Sequence, residues 1–127
     1  MGKRKVLVVD DEIEFLELLR LRLEANNYDV VTALDGDDAV AKVKKEKPDA
    51  VLLDILMPGM DGLEVLRRIR QEDNKLPVFM LTAFSSKERV KLANEFNASG
   101  FILKTSDLQK EIANITRALE KHQANDI

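Results

Sequence analysis

The sequence has 127 residues, of which 45% are apolar, and its 20 basic and 23 acidic residues give a net charge of −3. This length suits one globular domain with a single core. The small negative charge argues against a general electrostatic affinity for nucleic acid or anionic lipid, and the lack of cysteine excludes disulfides and thiolate chemistry.

The first half of the chain alternates short apolar runs with helical patterns. The runs predict strands at 5–9, 28–33 and 50–54. Between these strands, apolar residues recur at steps of three and four and predict two helices, the second of which ends before Lys47-Pro48. The first helix should bury one stripe, made of Ile13, Leu16, Leu19 and Leu23.

The second half continues the alternation. A helix follows the loop at 55–62, a fourth strand is expected at 78–82, and a fifth at 101–104. The S-x-x-E spacing from Ser85 to Glu88 is typical of a capping box that opens a fourth helix. The last helix should bury a stripe of Leu108, Ile112, Ile115 and Leu119.

Five strands that alternate with five helices predict an α/β domain whose parallel sheet is covered on both faces. In such folds, ligands bind beyond the carboxyl ends of the strands. The ends of the first, third, fourth and fifth predicted strands carry polar side chains, which belong to Asp10, Asp11, Asp54, Thr82 and Lys104. We therefore expect these side chains to share one edge of the sheet.

Carboxylates crowded at one edge repel each other and raise one another's pKa unless a cation neutralises them. Mg²⁺ suits such a site because it prefers oxygen ligands and keeps several waters. Together with the positive charge of Lys104 and the hydroxyl of Thr82, the acids suit phosphoryl transfer to an aspartate. Each feature alone is common: an Asp-Asp pair after a strand is more often a turn or a helix N-cap.

The combined motifs are far more specific. The chain carries VLVVDDE, AVLLDILMPGMDGLEVLRRIR, PVFMLTA and GFILK, and from about residue 5 to residue 121 it resembles the receiver domain of two-component response regulators. The resemblance implies a flavodoxin-like, doubly wound (βα)5 fold, with a five-stranded parallel sheet in the order 2-1-3-4-5 and helices on both faces. We expect one cytoplasmic receiver domain over residues 1–127, with a polar tail at 122–127.

The resemblance also assigns roles to the residues at the strand ends. Asp54 corresponds to the phosphoacceptor of the family. Mg²⁺, or Mn²⁺ in its place, would be held by Asp10, Asp11, Asp54 and the backbone carbonyl of Leu56.

The remaining residues that the resemblance assigns bind the phosphoryl group or respond to it. Thr82, the backbone N–H of Ala83 and Lys104 would bind the phosphoryl oxygens. Phe101 would turn inward when Thr82 moves toward the phosphate.

The partners implied by the resemblance are proteins. A sensor histidine kinase or a phosphotransfer protein would donate the phosphoryl group, and a downstream target would bind the face formed by the fourth helix, the fifth strand and the fifth helix, roughly Ser86 to Lys121. The domain would act as a switch and not as a turnover enzyme, without binding nucleic acid or membrane, as a monomer or weak homodimer.

Two departures from the family pattern leave alternatives open. Thr105 follows the lysine where proline is common, and Asn97 replaces a common glycine. A receiver-like interaction protein that no longer accepts phosphate is one alternative. The other is a metal-dependent phosphatase of the haloacid-dehalogenase type, but such enzymes need a D-x-D motif and a cap, whereas this chain has Asp10-Asp11-Glu12.

Apolar side chains flanking the phosphoacceptor predict a long-lived acyl phosphate. Leu56 and Phe84 occupy positions that influence the access of attacking water in this family. We expect Leu56→Asn combined with Phe84→Ala to shorten the acyl-phosphate lifetime, measured by loss of the phosphorylated mass over time. An unchanged lifetime in the double variant would contradict the prediction.

Overall fold

Ten elements alternate along the chain in the computed structural model, which describes residues 3–55, 57, 61–82, 87–103 and 107–125. The strands are β1 (Arg4–Val9), β2 (Tyr28–Ala33), β3 (Ala50–Asp54), β4 (Val78–Thr82) and β5 (Gly100–Leu103). The helices are α1 (Ile13–Ala25), α2 (Gly36–Glu46), α3 (Gly62–Glu72), α4 (Lys87–Glu95) and α5 (Leu108–Asn125).

The five strands form one parallel sheet in the order β2-β1-β3-β4-β5. This order confirms the doubly wound fold expected from the sequence. The strand order reverses at β1, which pairs with β2 on one side and with β3 on the other: Val9 lies opposite Ala33 and opposite Leu53. The carboxyl ends of β1 and β3 therefore meet at the point where such folds bind ligands.

Both faces of the sheet are buried, because successive strand residues point to opposite sides. One face packs on α2, α3 and α4 through Leu7, Val9, Val51, Leu53, Val78 and Met80. The other face packs on α1 and α5 through Val6, Val8, Leu52, Phe79, Leu81 and Ile102. The interiors of β3 and β4 are consequently apolar throughout, and their polar residues, Asp54 and Thr82, stand at the strand ends.

Aspartate side chains cap the N-termini of three helices. The side chain of Asp35 accepts the backbone N–H of Asp38 at 2.8 Å at the start of α2, and that of Asp61 accepts Leu63 N–H at 2.9 Å at the start of α3. Asp107 does the same for Lys110 N–H at 3.2 Å in α5. Each cap satisfies a donor that has no partner within its helix.

The expected apolar stripe of α1 is wrong at its first residue. Leu16, Leu19 and Leu23 are buried as predicted, but Ile13 is 62% exposed. Ile13 is the first residue of α1, and the buried residues of the helix begin at Leu16. In α5, Ile112, Ile115 and Leu119 are buried as predicted, while the side chain of Leu108 and the capping box at Ser85 lie outside the described residues.

Asn97 has a left-handed backbone, with φ of 66°. Asn tolerates this conformation better than most residues do, so it can replace glycine at this turn. Within the part of the chain that the structure describes, no helix is both long enough and apolar enough to span a membrane.

Gly62, the first residue of α3, lies directly against the end of β3. Its N–H donates to the carbonyl oxygen of Ile55 at 2.8 Å. A Cβ at this position would overlap the carbonyl oxygen of Asp54 and lie 2.7 Å from Cα of Ile55. Glycine is needed here because two backbones touch, and the contact fixes the start of α3 relative to the end of β3.

Gly62→Ala should therefore lower the free energy of unfolding by at least about 2 kcal/mol, because backbone atoms must shift to make room. Gly100→Ala is the matched control: its Cβ would lie 3.3 Å from the ring of Phe79, which can adjust, so we expect a change below about 1 kcal/mol. Urea denaturation of both variants measures the difference. Equal stability of the two variants would contradict the close approach.

Candidate functional site

Three acids and a hydroxyl lie at the carboxyl edge of the sheet. Asp10 directly follows β1, Asp54 is the last residue of β3, and Thr82 is the last residue of β4. The strands bring them together because Val9 pairs with Leu53 and Asp54 pairs with Leu81. These residues therefore occupy adjacent positions across β1, β3 and β4.

The carboxylates of Asp10, Asp11 and Asp54 form one cluster. Each offers an oxygen, and these oxygens all lie within 4.8 Å of one another. Asp10 is fully buried and Asp54 is 6% exposed, whereas Asp11 is exposed to solvent. The cluster is therefore open on the side of Asp11 and closed on the side of the core.

Backbone contacts fix Asp10 within this cluster. Its N–H donates to the carbonyl oxygen of Ala33 at 3.2 Å, which extends the pairing of β1 with β2 by one residue. Its Oδ1 accepts the N–H of Glu12, the residue before α1, at 3.0 Å. The side chain is thus held in place by the turn that leads into the first helix.

The cluster has the properties of a site for a hard divalent cation. Three like charges this close repel one another, and burial of two of them strengthens the repulsion. A divalent cation removes this repulsion, and oxygen ligands of mixed burial suit Mg²⁺, which retains part of its water shell. The residues present therefore fit the cation expected from the sequence.

Thr82 ends β4 at the same edge of the sheet, and Phe101 lies in the adjacent strand, β5. Thr82 is 5% exposed and pairs with Leu103, the last residue of β5. Phe101 is half-buried, pairs with Met80, and packs against the core cluster under α2, α3 and α4. A change at Thr82 can therefore be transmitted to the side of the sheet that α4 covers.

Four further residues with predicted roles lie outside the described part of the chain. They are Leu56, Ala83, Phe84 and Lys104, together with Thr105 in the same loop. Their expected roles stay predictions.

Sequence reasoning missed two contacts beside the site. Gly62 was part of an expected loop, although the Asp61-Gly62 pair before a helical pattern is a recognisable sign of a capped helix that starts against another backbone. Arg89 of α4 forms an ion pair with Asp61. No local pattern indicates that pair, since its members belong to different helices.

Comparison with known proteins gives consistent results. A family model described as the response regulator receiver domain matches residues 6–117. The chain is similar to the chemotaxis protein CheY4 of Vibrio cholerae, with 30% identity and a TM-score of 0.86, over 94% of this chain and 98% of that chain.

Two further structures come from other regulators. The BeF3-activated N-terminal receiver domain of RstA from Klebsiella pneumoniae is 35% identical, with a TM-score of 0.80, over 91% of this chain and 98% of that chain. NtrX from Brucella abortus is 32% identical, with a TM-score of 0.84, over 96% of this chain but 28% of that chain. The similar region of NtrX is thus one part of a longer protein.

Mg²⁺ should stabilise the folded chain by occupying the carboxylate cluster, by about 2–3 kcal/mol at a hundredfold excess over its dissociation constant. Asp11→Asn should remove most of this effect, since it takes one charge from the exposed side of the cluster. Asp37→Asn, an exposed acid on α2, is the control and should keep it. Thermal unfolding against Mg²⁺ concentration measures the effect, and equal shifts in both variants would contradict a specific site.

Proposed function

The chain belongs to the response regulator receiver domain family, and we propose that it is switched by transfer of a phosphoryl group to Asp54. Receiver domains of response regulators are signalling switches of two-component systems that interact with histidine kinases and downstream effectors. The observation that carries the proposal is the buried carboxylate of Asp54, which ends β3 with two further carboxylates within 4.8 Å.

Asp54 acts as the nucleophile. A carboxylate oxygen attacks the phosphorus of a phosphohistidine on a sensor histidine kinase or phosphotransfer protein, or that of acetyl phosphate. The new O–P bond forms as the P–N bond of phosphohistidine, or the P–O bond of acetyl phosphate, breaks, and imidazole or acetate leaves. The ends of β1 and β3 support this role because they hold Asp54 rigidly at an edge that a partner can reach past exposed Asp11.

Asp10, Asp11 and Asp54 would hold Mg²⁺ or Mn²⁺, with the Leu56 carbonyl as the further expected protein ligand. When bound, the cation offsets the negative charge of the carboxylates and of the incoming phosphoryl oxygens. The chain's own contribution is to keep Asp10 oriented through Glu12 N–H and to exclude water from the inner side of the cluster.

Phosphorylation adds negative charge and strong hydrogen-bond acceptors at Asp54. The Thr82 hydroxyl, the Ala83 N–H and Lys104 would gain partners that exist only in the phosphorylated state, which favours a conformation that is otherwise a minor one. Phe101, in the adjacent strand β5, would turn inward when Thr82 moves toward the phosphoryl group. A downstream partner then recognises the face formed by α4, β5 and α5. Phe101 pairs with Met80 of β4 and packs against the core cluster that α4 covers, which supports this route.

The cellular location that we propose for the domain follows from its proposed partners. Histidine kinases present their phosphohistidine to the cytoplasm, so we place this receiver in the cytoplasm, as one domain over residues 1–127. It assists its own phosphorylation and dephosphorylation and is not a turnover enzyme.

Incubation with Mg²⁺ and acetyl phosphate should add about 80 Da to the intact mass, the increment of one phosphoryl group on a carboxylate. Asp54→Asn should abolish this gain, and Asp37→Asn should retain it because Asp37 is an exposed acid outside the cluster. A wild-type chain that gains no mass would contradict the proposal and favour a receiver-like interaction protein.

A further inference from the structure

Helix α4 buries fewer side chains than its neighbours on the same face of the sheet. Its one fully buried residue is Ala93, whereas α2 buries four residues and α3 buries five. Its main packing partner is α3. The position of α4 should therefore depend strongly on polar contacts at its two ends.

The C-terminal end of α4 is fixed by Arg70 of α3. Its Nε donates to the carbonyl oxygen of Asn97 at 2.9 Å, and its Nη1 donates to those of Asp73 at 3.1 Å and Leu76 at 2.6 Å. Burial lowers the pKa of the Arg70 guanidinium, an effect that Asp73 partly offsets, and the group stays charged at neutral pH. Of the three carbonyls only that of Asn97 lies at this end of α4, and the half-buried guanidinium joins it to the segment between α3 and β4.

The N-terminal end of α4 is held by a different kind of contact. Nη1 of Arg89 lies 3.1 Å from Oδ2 and 3.3 Å from Oδ1 of Asp61, and the two side chains are 35% and 45% exposed. An ion pair this exposed contributes about 0.2–1 kcal/mol. It can therefore open without disturbing the fold.

Asp61 links this ion pair to the phosphoacceptor. The same carboxylate caps α3 through Leu63 N–H, and the next residue, Gly62, packs against the backbone of Asp54 and Ile55. Arg89 is therefore connected to the backbone of Asp54 through two consecutive residues.

We propose that the Arg89–Asp61 ion pair is a latch that holds the N-terminal end of α4 in its unphosphorylated position and thereby opposes phosphorylation of Asp54. This inference rests on the function proposed above. If the pair forms in one state of a switch and opens in the other, its removal shifts the equilibrium toward the second state. The same coupling means that a partner bound to the displaced α4 promotes phosphorylation of Asp54.

Three variants separate the latch from general stability. Arg89→Ala removes the cation, and Asp61→Asn removes the anion while keeping a good N-cap for α3. The matched control is Arg68→Ala, which removes the Arg68–Asp37 pair, also an exposed Arg–Asp contact between neighbouring helices but away from α4. The double variant Arg89→Ala with Asp61→Asn should resemble either single variant, because both break one interaction.

The first measurement is hydrogen exchange of the unphosphorylated full chain. Backbone amides of α4 should exchange about twofold to fivefold faster in Arg89→Ala and Asp61→Asn than in the wild type, the range that corresponds to an exposed ion pair. Arg68→Ala should leave α4 unchanged. Unchanged exchange of α4 in Arg89→Ala would overturn the latch, and this result does not depend on phosphorylation.

The second measurement is the phosphorylated fraction at steady state with Mg²⁺ and sub-saturating acetyl phosphate. It should rise by about twofold to fivefold in Arg89→Ala but not in Arg68→Ala, and the difference should shrink in 1 M NaCl, where about 3 Å of screening length removes exposed ion pairs. Equal fractions in both variants would overturn the coupling to Asp54. A wild type that is never phosphorylated would contradict the proposed function, while α4 exchange would still decide the latch.

Discussion

The pairing of β1 with β3 is the constraint on which the site depends, because it brings three mutually repelling carboxylates to one edge of the sheet. Asp10 and Asp54 are buried, where water screens their charges poorly, and Asp11 lies within reach of both. The strands cannot separate to relieve the repulsion, because β1 and β3 are joined along their length. A divalent cation bound by these carboxylates would offset the repulsion. The rigid sheet thus keeps the carboxylates close together, as a cation site requires.

The surrounding structure divides the tasks between strands and helices. The strands β3 and β4 and the carboxyl-terminal part of β1 are buried and supply rigidity, while Asp10 and Asp54 at the strand ends supply charge. Helix α3 begins against Asp54 because Gly62 lets two backbones touch. Helix α4 is attached to α3 by Arg70 at one end and by Arg89 at the other. The rigid part of the domain thus carries Asp54, and α4, whose one buried residue is Ala93, is attached to it partly through polar contacts.

The sequence predicts the elements of the sheet well because burial on both faces produces continuous apolar runs, which are hard to mistake. The prediction of burial fails at Ile13, since helical periodicity does not show whether the first turn of a helix packs on the sheet. The convergence of Asp10 and Asp54 could be predicted from the rule that parallel strands present their carboxyl ends together. The Arg89–Asp61 contact could not, because the approach of one helix to another depends on packing that no local pattern encodes.

The strand order has a consequence for how the chain acquires its site. Asp10 and Asp54 lie beside each other, yet α1, β2 and α2 separate β1 from β3 along the chain. Such non-local pairing forms late and slowly, since the loop must close before its contacts are gained. In a chain whose β1 and β3 have not paired, Asp54 stays apart from Asp10 and Asp11. Any property that needs all three carboxylates together therefore appears only once this pairing is complete.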